Sequence, residues 1–380
     1  MQVAKHLQQI QPSYIREILA AATSEGVISL AGGLPAPERF PLSLMKDGIA
    51  QLSKDPALFQ YGETAGYRPL LAYLEQHYQL ASTHKMLVCT GSQQGLDLIA
   101  RTFLNPGDGV AMEAPCYPGA LQVFAMAQAS IQSVQQHADG PNLQALESRF
   151  ASGRIKIFYA VPDFHNPTGI CWTLEKRKKV AALCRQYRIG LVEDAPYREL
   201  RFAGSELPMV SSFCPERSLV LRSFSKILTP GIRLGVLSGP KDWLTPLITV
   251  KQASDLHSSL PMQSLLLKLI AHPEFPAHIE QLCQLYSERY QALASALSEY
   301  LGEGFDFAPV RGGMFVWLKL PNLDPLTVAK TAISRGVAVV PSTVFYHNCT
   351  SPDSALRLNF SHEHSETLRE AVRRLASVLA

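Results

Sequence analysis

The sequence predicts an α/β fold, with a large domain built on a mainly parallel sheet and a smaller α+β domain. Between residues 85 and 240, short apolar runs alternate with amphipathic segments. Strand–helix alternation of this kind is typical of a parallel sheet that is covered by helices on both faces. After Pro240 the pattern changes to longer helical stretches mixed with short strands. At 380 residues the chain is also too long for one ordinary core, so we expect two domains.

In the first part of the chain, apolar runs of strand length predict the sheet. They cover residues 85–90, 109–113, 155–160, 189–194, 218–222 and 234–238. Apolar residues at helical spacing predict helices over 93–104 and 174–187, and Pro115 ends the second strand. Because binding sites in such sheets lie at the carboxyl ends of the strands, polar residues just after these runs are the candidates for function.

The second part of the chain predicts a mixed pattern. We expect a long helical region over about 265–301, strands over 314–318, 337–340 and 355–360, a helix over 326–334, and a final helix from Glu366. Residues 1–45 hold one helix (15–22) and a Gly/Pro-rich loop, which we expect to join the small domain or a dimer interface. The large domain is then expected over 46–250 and the small domain over 251–380, with a linking helix at its start.

Composition excludes several classes of protein. The formal net charge is +3 and no lysine/arginine block stands out, so nucleic-acid binding has no electrostatic support. The seven cysteines are scattered without CxxC spacing, which indicates reduced thiols and no disulfide framework or metal site. The first 13 residues lack an apolar signal core, and the charge-free stretch 114–138 contains prolines and many glutamines. We therefore expect a cytoplasmic protein with no membrane partner.

The most informative residue is Lys226, which follows the apolar strand 218–221 and stands between two hydroxyl residues. A lysine ammonium is expensive to bury at a strand end. A Schiff base between this lysine and an aldehyde cofactor would remove that expense. Nearby serines and Arg233 could hold a phosphate group, and an aldehyde that carries a phosphate is pyridoxal 5′-phosphate (PLP). The alternative is an ordinary strand-to-loop turn with a solvated lysine.

Three further motifs lie at predicted strand ends. Residues 91–95 join a strand to a helix, so their backbone N–H groups form a phosphate site or a plain helix cap. Asn166 lies in a turn, where it could donate to a phenolate oxygen or make an Asx turn. Asp194 needs a cationic partner, either a protonated pyridine nitrogen or a salt-bridging side chain. Tyr117 could stack on a cofactor ring or pack in its turn. Together these motifs supply what PLP chemistry requires.

The same residues carry a family resemblance over nearly the whole chain. The chain resembles the fold-type I PLP-dependent aminotransferases (class I/II), and among them the aminoadipate/kynurenine aminotransferase group. The motifs concerned are 13–19, 31–35, 61–64, 91–95, 166–169, 194–197, 223–233, 312–315 and 357–361. The resemblance implies the PLP-transferase fold type I, in which a mostly parallel seven-stranded sheet lies between helices in the large domain.

The resemblance also implies roles for individual residues. Lys226 is expected to be the Schiff-base lysine, and Asp194 the partner of the pyridine nitrogen. Asn166 and Tyr197 are expected to contact the ring oxygen. The expected phosphate ligands are Ser92, Gln93, Ser223, Ser225, Arg233 and Tyr61, and Tyr117 is expected to stack on the ring. Tyr61 would reach the phosphate of the partner subunit, which implies a homodimer with shared active sites.

Substrate binding is expected to involve four residues. By the resemblance, Arg357 grips the substrate α-carboxylate, a bidentate task that lysine performs poorly. Gly33 and Asn166 are expected beside it. Arg16 matches a residue on a mobile N-terminal helix that helps to bind a side-chain carboxylate in the aminoadipate group. The alternative for Arg16 is a solvated helix arginine that pairs with a neighbouring glutamate.

The chain departs from the pattern of the group at four places. His165 stands where glutamine is usual, Ala195 where a second aspartate is common, and Gly95 where alanine is common. We expect these three to leave the PLP chemistry intact. Residues 341–345 replace a Pro-Gly loop that lines the substrate pocket in the group. This loop and Arg16 therefore bear on the choice of substrate.

The expected function is an aminotransferase that moves an amino group from an α-amino acid to a 2-oxo acid. The donor is aromatic, branched or aminoadipate-like, the acceptor is expected to be 2-oxoglutarate, and the route is ping-pong. One alternative is another PLP reaction on the same fold, carried out by a lyase, decarboxylase or racemase. A second is a non-catalytic effector-binding module like those of some transcription regulators, although motifs that begin by residue 13 leave little room for a preceding DNA-binding domain.

Overall fold

A computed structural model describes residues 1–4, 7, 18, 26–348 and 352–379 of the chain. Its strands are β1 (Ile28–Ser29), β2 (His84–Cys89), β3 (Gly109–Ala114), β4 (Ser130–His137), β5 (Gly140–Pro141), β6 (Ile155–Ala160), β7 (Gly190–Asp194), β8 (Ser218–Ser223), β9 (Gly235–Pro240), β10 (Phe315–Lys319), β11 (Val337–Ala338), β12 (Val340–Pro341) and β13 (Ala355–Asn359). Its α-helices are Leu42–Leu52, Arg68–His77, Ser92–Phe103, Pro118–Met126, Leu143–Ala151, Leu174–Gln186, Lys241–Asp255, Leu260–Ile270, Phe275–Tyr300, Pro325–Ser334 and Ser365–Leu379.

The larger sheet has the strand order β2-β9-β8-β7-β6-β3-β4-β5. Strands β8, β7, β6, β3 and β4 pair in parallel, whereas β9 lies antiparallel to both β8 and β2. Strand β5 has two residues, and the other seven strands have five to eight. The predicted mostly parallel seven-stranded sheet is therefore confirmed, with one short antiparallel strand added at its edge.

Both faces of this sheet are buried, as β6 illustrates. Ile157 and Tyr159 pack into one apolar cluster, while Phe158 and Ala160 pack into another. Successive side chains of a strand point to opposite faces, so the two clusters lie on the two sides of the sheet. Helices Ser92–Phe103 and Lys241–Asp255 contribute to the first cluster, and helices Leu143–Ala151 and Leu174–Gln186 to the second. The continuous apolar character of the strands follows from this double burial.

The smaller sheet has the order β10-β13-β12, and its strands are antiparallel. Helix Phe275–Tyr300 packs against helix Ser365–Leu379 beside it. Strand β1, from the N-terminal part of the chain, pairs in parallel with β11. The assignment of residues 1–45 to the small domain or a dimer interface stays a prediction, as do the domain boundaries at about 45 and 250.

The structure differs from the predicted elements at three places. The region 265–301 is two helices, Leu260–Ile270 and Phe275–Tyr300, separated by a short turn that contains Pro273. Residues 337–340 are not one strand, because β11 pairs with β1 whereas β12 pairs with β13. Strand β4 was not predicted, since its three glutamines hide the alternation of buried and exposed residues near the sheet edge. The predicted helix 15–22 lies outside the described residues, apart from Ile18.

The sheet topology gathers the functional candidates at one edge. Asp194 ends β7 and Ser223 ends β8, and both strands run in the same direction. Antiparallel β9 begins at this edge with Gly235, which pairs with Ser223 and with Cys89. Lys226 and Arg233 both lie in the connection between β8 and β9. The polar residues that flank these strands are therefore brought to one side of the molecule. Within the described ranges, no helix is long and apolar enough to cross a bilayer.

Gly235 is required by close backbone packing at this edge. A Cβ at this position would lie 2.7 Å from the carbonyl oxygen of Arg222 and 2.8 Å from the backbone nitrogen of Ser92. Backbone atoms in a paired strand cannot yield, so Gly235→Ala is expected to lower the free energy of unfolding by about 1–3 kcal/mol. Gly302→Ala is the matched control, because no atom lies within 4 Å of a Cβ there. Denaturant unfolding of both variants measures the difference, and equal stability would contradict this account.

Candidate active site

A cavity of about 490 Å³ opens at the carboxyl edge of the larger sheet. Its walls come from several parts of the chain: the end of β6 and the loops after β6, β7 and β8, the starts of helices Ser92–Phe103 and Pro118–Met126, and strand β13 of the smaller sheet. Loop 31–33 closes a further side. Segments that are more than 300 residues apart in the sequence therefore meet around one space, as expected for an open sheet whose sites lie beyond the carboxyl ends of its strands.

Lys226 places a half-buried amine in this cavity. The lysine lies three residues beyond β8, and its Nζ donates to the backbone oxygen of Gly33 at 2.7 Å. Burial, and then the positive charges of Arg357 and Arg233, lowers the pKa of Lys226 to about 8. A substantial fraction of the side chain is therefore a neutral amine near physiological pH. A neutral buried lysine amine is a nucleophile that can attack an aldehyde.

Asp194 is a buried carboxylate with one oxygen left without a partner. Its Oδ2 accepts a hydrogen bond of 2.7 Å from the hydroxyl of Tyr159 on the adjacent strand β6. Its Oδ1 is buried and has no hydrogen-bond partner among the described residues. Burial raises the pKa of Asp194 to about 6, and the hydrogen bond from Tyr159 opposes this rise. A cation with an N–H group would satisfy Oδ1 and stabilise the charged form.

An anion site lies where β2 turns into helix Ser92–Phe103. Gly91 precedes the helix with a φ of 76°, and a Cβ there would lie 2.8 Å from Nη2 of Arg233. The guanidinium of Arg233 is thus held close to free N–H groups at the helix N-terminus, and the residues Ser92, Ser223 and Ser225 line the same part of the cavity. A helix N-terminus, a guanidinium and hydroxyl groups together form a site of the type that binds phosphate.

Arg357 is a fully buried cation without a carboxylate partner in the described part of the chain. Its Nη1 donates to Oδ1 of Asn166 at 2.9 Å, its Nη2 donates to the backbone oxygen of Ala31, and its Nε has no partner. The guanidinium lies 4.3 Å from the ring centroid of Phe315. Burial lowers the pKa of Arg357 to about 10, so the side chain is charged at neutral pH. A buried cation of this kind is suited to an anionic ligand.

Two tyrosines and an asparagine complete the polar wall. Nδ2 of Asn166 donates to the hydroxyl of Tyr197 at 3.4 Å. The hydroxyl of Tyr117 donates to Oε1 of Gln93 at 3.2 Å, and Nε2 of Gln93 donates to the backbone oxygen of Gly119. Gln93 is therefore held by neighbouring groups of the protein, in addition to lining the cavity.

Twelve of the fourteen residues predicted for the site line this single cavity. They are Gly33, Ser92, Gln93, Tyr117, Asn166, Asp194, Tyr197, Ser223, Ser225, Lys226, Arg233 and Arg357. Tyr61 does not line it: its side chain is exposed, at 79%, and lies edge-on to the ring of His257. Arg16 lies outside the described residues. The roles of these residues stay predictions, whereas their convergence on one cavity is observed.

The sequence analysis missed Tyr159 and Gln122, both of which line the cavity. Tyr159 is the next-to-last residue of β6, on the strand that pairs with the one ending at Asp194. The position of Tyr159 near the carboxyl end of β6 could have indicated a role in the site. The apolar residues around it favoured its interpretation as a core residue instead. Gln122 lies on helix Pro118–Met126, where no pattern distinguished it.

Comparison with known proteins assigns the family. A family model described as aminotransferase class I and II matches residues 27–375. The chain therefore belongs to the class I and II aminotransferases. As a member of this family it is a PLP-dependent aminotransferase with the type I fold, which confirms the expectation drawn from the motifs around Lys226. Membership also favours amino-group transfer over the alternatives considered from the sequence.

Individual relatives match over nearly their whole length. The chain is 34% identical over 384 residues to aromatic-amino-acid aminotransferase 1 of Thermococcus litoralis, covering 97% of this chain and 92% of the relative. It is 35% identical over 378 residues to 2-aminoadipate transaminase of Thermus thermophilus, covering 98% and 94%. Among solved structures it is similar to LysN, the α-aminoadipate aminotransferase of Thermus thermophilus complexed with N-(5′-phosphopyridoxyl)-L-leucine, with a TM-score of 0.92, 34% identity and coverage of 99% and 97%.

The cavity itself fits PLP. A cofactor with a phosphate, an aldehyde and a basic ring nitrogen needs an anion site, a neutral amine and a carboxylate. Arg233 and the helix N-terminus provide the anion site, and Lys226 provides the amine. Asp194 provides the carboxylate, through its unpartnered Oδ1. These three features lie around one space of suitable size, so the residues present match the group that the family uses.

Tyr159 is expected to set the pH range in which the cavity holds PLP. Its hydrogen bond lowers the pKa of Asp194, so Tyr159→Phe is expected to raise that pKa above about 6. Only the carboxylate form can pair with a ring cation. The affinity for PLP should therefore fall as pH drops below the pKa of Asp194, by up to about tenfold per pH unit, and the fall should begin at a higher pH in the variant.

Titration of the cofactor-free protein with PLP between about pH 5 and 8 measures this change. Tyr187→Phe is the matched control, because Tyr187 donates to Glu147 far from the cavity on the protein surface. Superimposable pH profiles for the wild type and Tyr159→Phe would show that Tyr159 does not act on Asp194.

Proposed function

We propose that this aminotransferase accepts aromatic, branched or aminoadipate-like α-amino acids as donors and 2-oxoglutarate as acceptor, by a ping-pong route. The observation that carries the proposal is the presence in one cavity of a half-buried amine, Lys226, and a buried guanidinium without a carboxylate partner in the described ranges, Arg357. The first suits an aldehyde cofactor and the second suits the α-carboxylate that all amino acids and 2-oxo acids share. The named activities of the relatives support the range of side chains.

We assign the cofactor end of the cavity as follows. PLP, when bound, supplies a ring that withdraws electrons from the substrate α-carbon. Asp194 holds the ring nitrogen in its cationic form through its free Oδ1. Burial, followed by Tyr117, raises the pKa of Tyr197 above its usual value, so its hydroxyl stays protonated and donates to the ring oxygen beside Asn166. Tyr117 covers one face of the ring.

The phosphate end is assigned to the helix N-terminus and the residues around it. The ligands we propose are Ser92, Gln93, Ser223, Ser225 and Arg233 of one subunit, and Tyr61 of its partner. Arg233 adopts a left-handed backbone conformation, with a φ of 51°, just before β9. This conformation turns the chain so that its guanidinium packs against Gly91. The charge of the phosphate is thereby matched by a guanidinium and by a helix dipole.

Lys226 is proposed to move the proton during transfer. Its pKa of about 8 lies close to neutral pH, where a general base and acid are both effective. Once the substrate amine had displaced it from the cofactor aldehyde, Nζ could take the proton from the substrate α-carbon and deliver it to C4′, the cofactor carbon that carried the aldehyde. The carbonyl oxygen of Gly33, which accepts from Nζ at 2.7 Å, holds the amine in place between these events.

Arg357 is proposed to orient the substrate. Two of its nitrogen atoms are already held, by Asn166 and by Ala31, and the Nε edge remains available to a carboxylate. A carboxylate gripped in this way is a binding group and not a leaving group, which favours amino transfer over decarboxylation. Beyond Arg357 we expect Arg16 to favour donors with a second carboxylate.

We further propose that the protein is a cytoplasmic homodimer with shared sites. Exposed apolar side chains support an interface near Tyr61: Phe59 is two residues before it, and Leu256 precedes His257, whose ring Tyr61 contacts. Tyr61 itself is exposed and outside the cavity of its own chain, which is the arrangement expected of a residue that serves a partner. Six cysteines in the described ranges are free thiols, which suits a reducing compartment.

A half-reaction tests the activity directly. The PLP-loaded protein is mixed with single amino donors, aromatic, branched or acidic, without any 2-oxo acid, and the cofactor absorbance is followed. We expect conversion to the pyridoxamine form, and Lys226→Ala should slow it by at least about 10²–10⁴-fold. Lys85→Ala, an exposed lysine on β2, is the control. Release of ammonia or carbon dioxide in place of conversion would contradict amino transfer, and the order of donor rates identifies the substrate class.

Mixed dimers test whether Tyr61 serves the partner subunit. Tyr61→Phe should weaken PLP binding by about two- to tenfold, the effect of one lost hydrogen bond. A mixed dimer of a Lys226→Ala chain with a Tyr61→Phe chain should then regain one site of full affinity, because the intact tyrosine and the intact lysine meet across the interface. If only weak sites remain, the tyrosine acts within its own chain or not at all.

A further inference from the structure

Behind the wall of the cavity, the buried side chains of Glu113, His165 and Thr168 and the half-buried side chain of Gln136 form a ring. Nδ1 of His165 lies 3.1 Å from the hydroxyl of Thr168, which donates to Oε1 of Gln136 at 2.8 Å. Nε2 of Gln136 donates to Oε1 of Glu113 at 2.9 Å. Oε2 of Glu113 lies 3.9 Å from Nε2 of His165, so the two ends of this series of hydrogen bonds meet in a contact that is too long for a hydrogen bond. The side chain of Trp172 also donates to Oε1 of Glu113, at 3.1 Å.

Counting donors and acceptors around the ring locates its protons. Thr168 uses its hydroxyl proton to donate to Gln136, so it must accept from His165, whose Nδ1 therefore carries a proton. A neutral imidazole then has a bare lone pair on Nε2. That lone pair faces Oε2 of Glu113, which is buried and has no other hydrogen-bond partner in the described part of the chain. At 3.9 Å the two atoms share no direct hydrogen bond, but a bare carboxylate beside a neutral imidazole would leave an uncompensated charge in the interior. The arrangement without net charge has one proton on either the carboxyl group or Nε2 of the imidazole.

Burial decides which member carries the proton. Glu113 and His165 are both nearly inaccessible to solvent. Burial raises the pKa of Glu113 to about 8, although Gln136, Trp172 and the Val161 amide oppose the rise, and it lowers the pKa of His165 to about 3. Cys116, on the loop after β3, has its pKa raised by burial and then by Glu113, so it stays an uncharged thiol. The uncharged arrangement, a carboxylic acid beside a neutral imidazole, therefore avoids placing two ions in the interior.

The ring is connected to the cavity through Asn166, the residue after His165. The backbone N–H of His165 donates to the oxygen of Ile170 at 2.9 Å, and that of Gly169 donates to the oxygen of His165 at 2.6 Å. The side chain of His165 holds this turn through the ring. The side chain of Asn166, the next residue, contacts Tyr197 and Arg357 in the cavity.

The segment before this turn is anchored as well. Asp163, which is buried, accepts hydrogen bonds from Arg177, Arg198 and Arg201. The turn that carries Asn166 is therefore held by a charged cluster at residue 163 and by the ring at residues 165 and 168. Of these two anchors, only the ring contains His165, the residue that stands where glutamine is usual in the aminoadipate/kynurenine aminotransferase group.

We propose that Glu113 is an uncharged carboxylic acid beside a neutral His165 imidazole, and that His165 is a positioning residue that fixes Asn166 against Tyr197 and Arg357. The proposal rests on the role assigned to Asn166 above. The proposal predicts that the stability of the protein and the position of Asn166 depend on the shape and hydrogen bonding of these two side chains. They should not depend on whether residue 113 has an ionisable carboxyl group.

The protonation state is tested on the PLP-loaded protein. Nitrogen NMR of ¹⁵N-histidine-labelled protein, assigned with His165→Gln, should show one protonated and one unprotonated ring nitrogen at residue 165 throughout about pH 6–8. Glu113→Gln, which replaces the acid O–H with an amide N–H, should keep the unfolding temperature within about 2 °C of the wild type. A doubly protonated imidazole, or a Glu113→Gln protein that is strongly destabilised, would show an ion pair and overturn the proposal.

The positioning role is tested by the pH midpoint of the visible absorbance of bound PLP. His165→Phe should shift this midpoint by about half a pH unit or more. The same change should raise the KM for the amino donor about tenfold, because Arg357 loses an oriented partner. His165→Gln should restore both values. If His165→Phe folds and binds PLP with an unchanged midpoint and KM, His165 has only a structural role.

Asn166→Ala separates this proposal from the proposed function. If Asn166→Ala also leaves the midpoint unchanged, the role assigned to Asn166 is wrong, whatever the state of the ring. If Asn166→Ala shifts the midpoint and His165→Phe does not, the positioning proposal alone fails. Lys156→Ala is the matched control, since Lys156 lies on the neighbouring strand β6 but pairs with Asp108 at the surface.

Discussion

The parallel pairing of β7 with β8 is the constraint on which the site depends. Asp194 lies opposite Leu221 in this pairing, so β8 continues for two further residues before the chain turns towards Lys226. Because the two strands run in the same direction, the carboxylate and the amine emerge at one edge of the sheet. A shift of the register by one residue would turn Asp194 to the other face, into an apolar cluster. The site therefore depends on a ladder of backbone hydrogen bonds as much as on its own side chains.

The cavity holds charged groups in a state that is unfavourable without a ligand. Asp194 and Arg357 are buried and Lys226 is half-buried, and their removal from water shifts the pKa of each towards its neutral form. Removing an ion from water costs on the order of several kcal/mol when no partner compensates. The stability of the surrounding sheet offsets that cost, and a cofactor and a substrate with complementary charges remove it. Affinity for PLP and for a carboxylate thus arises from the same desolvation that weakens the empty fold.

The wall that carries Asn166 shows a different solution to the same problem. On one side, Asp163 is compensated by three arginines, with the nearest Arg177 nitrogen at 2.7 Å, and its pKa is lowered because hydrogen bonds and charges from these arginines outweigh burial. On the other side, the ring of Glu113 and His165 avoids charge altogether. A charged cluster and a neutral ring thereby hold one turn, and neither adds an uncompensated charge next to the cofactor site.

The sequence by itself determined the elements and the chemistry. Strand β6 was predicted with the bounds that it has, and Lys226, Asp194 and Arg357 were identified, because apolar periodicity and unusual polar residues are local signals. Strand β4 was not predicted, because its stability comes from pairing with β3 and not from its own glutamine-rich sequence. The split of residues 337–340 between two partner strands was hidden for the same reason.

Only the tertiary structure decided how the predicted residues are used. The hydrogen bond from Tyr159 to Asp194 joins residues 35 positions apart, and the contact of Arg357 with Asn166 joins residues 191 positions apart. The ring around His165 likewise depends on residues of other strands. No local pattern encodes such contacts, because they follow from the order of strands in the sheet. The sequence determines which functional groups are present. Burial and long-range packing determine their charge state and which groups they contact.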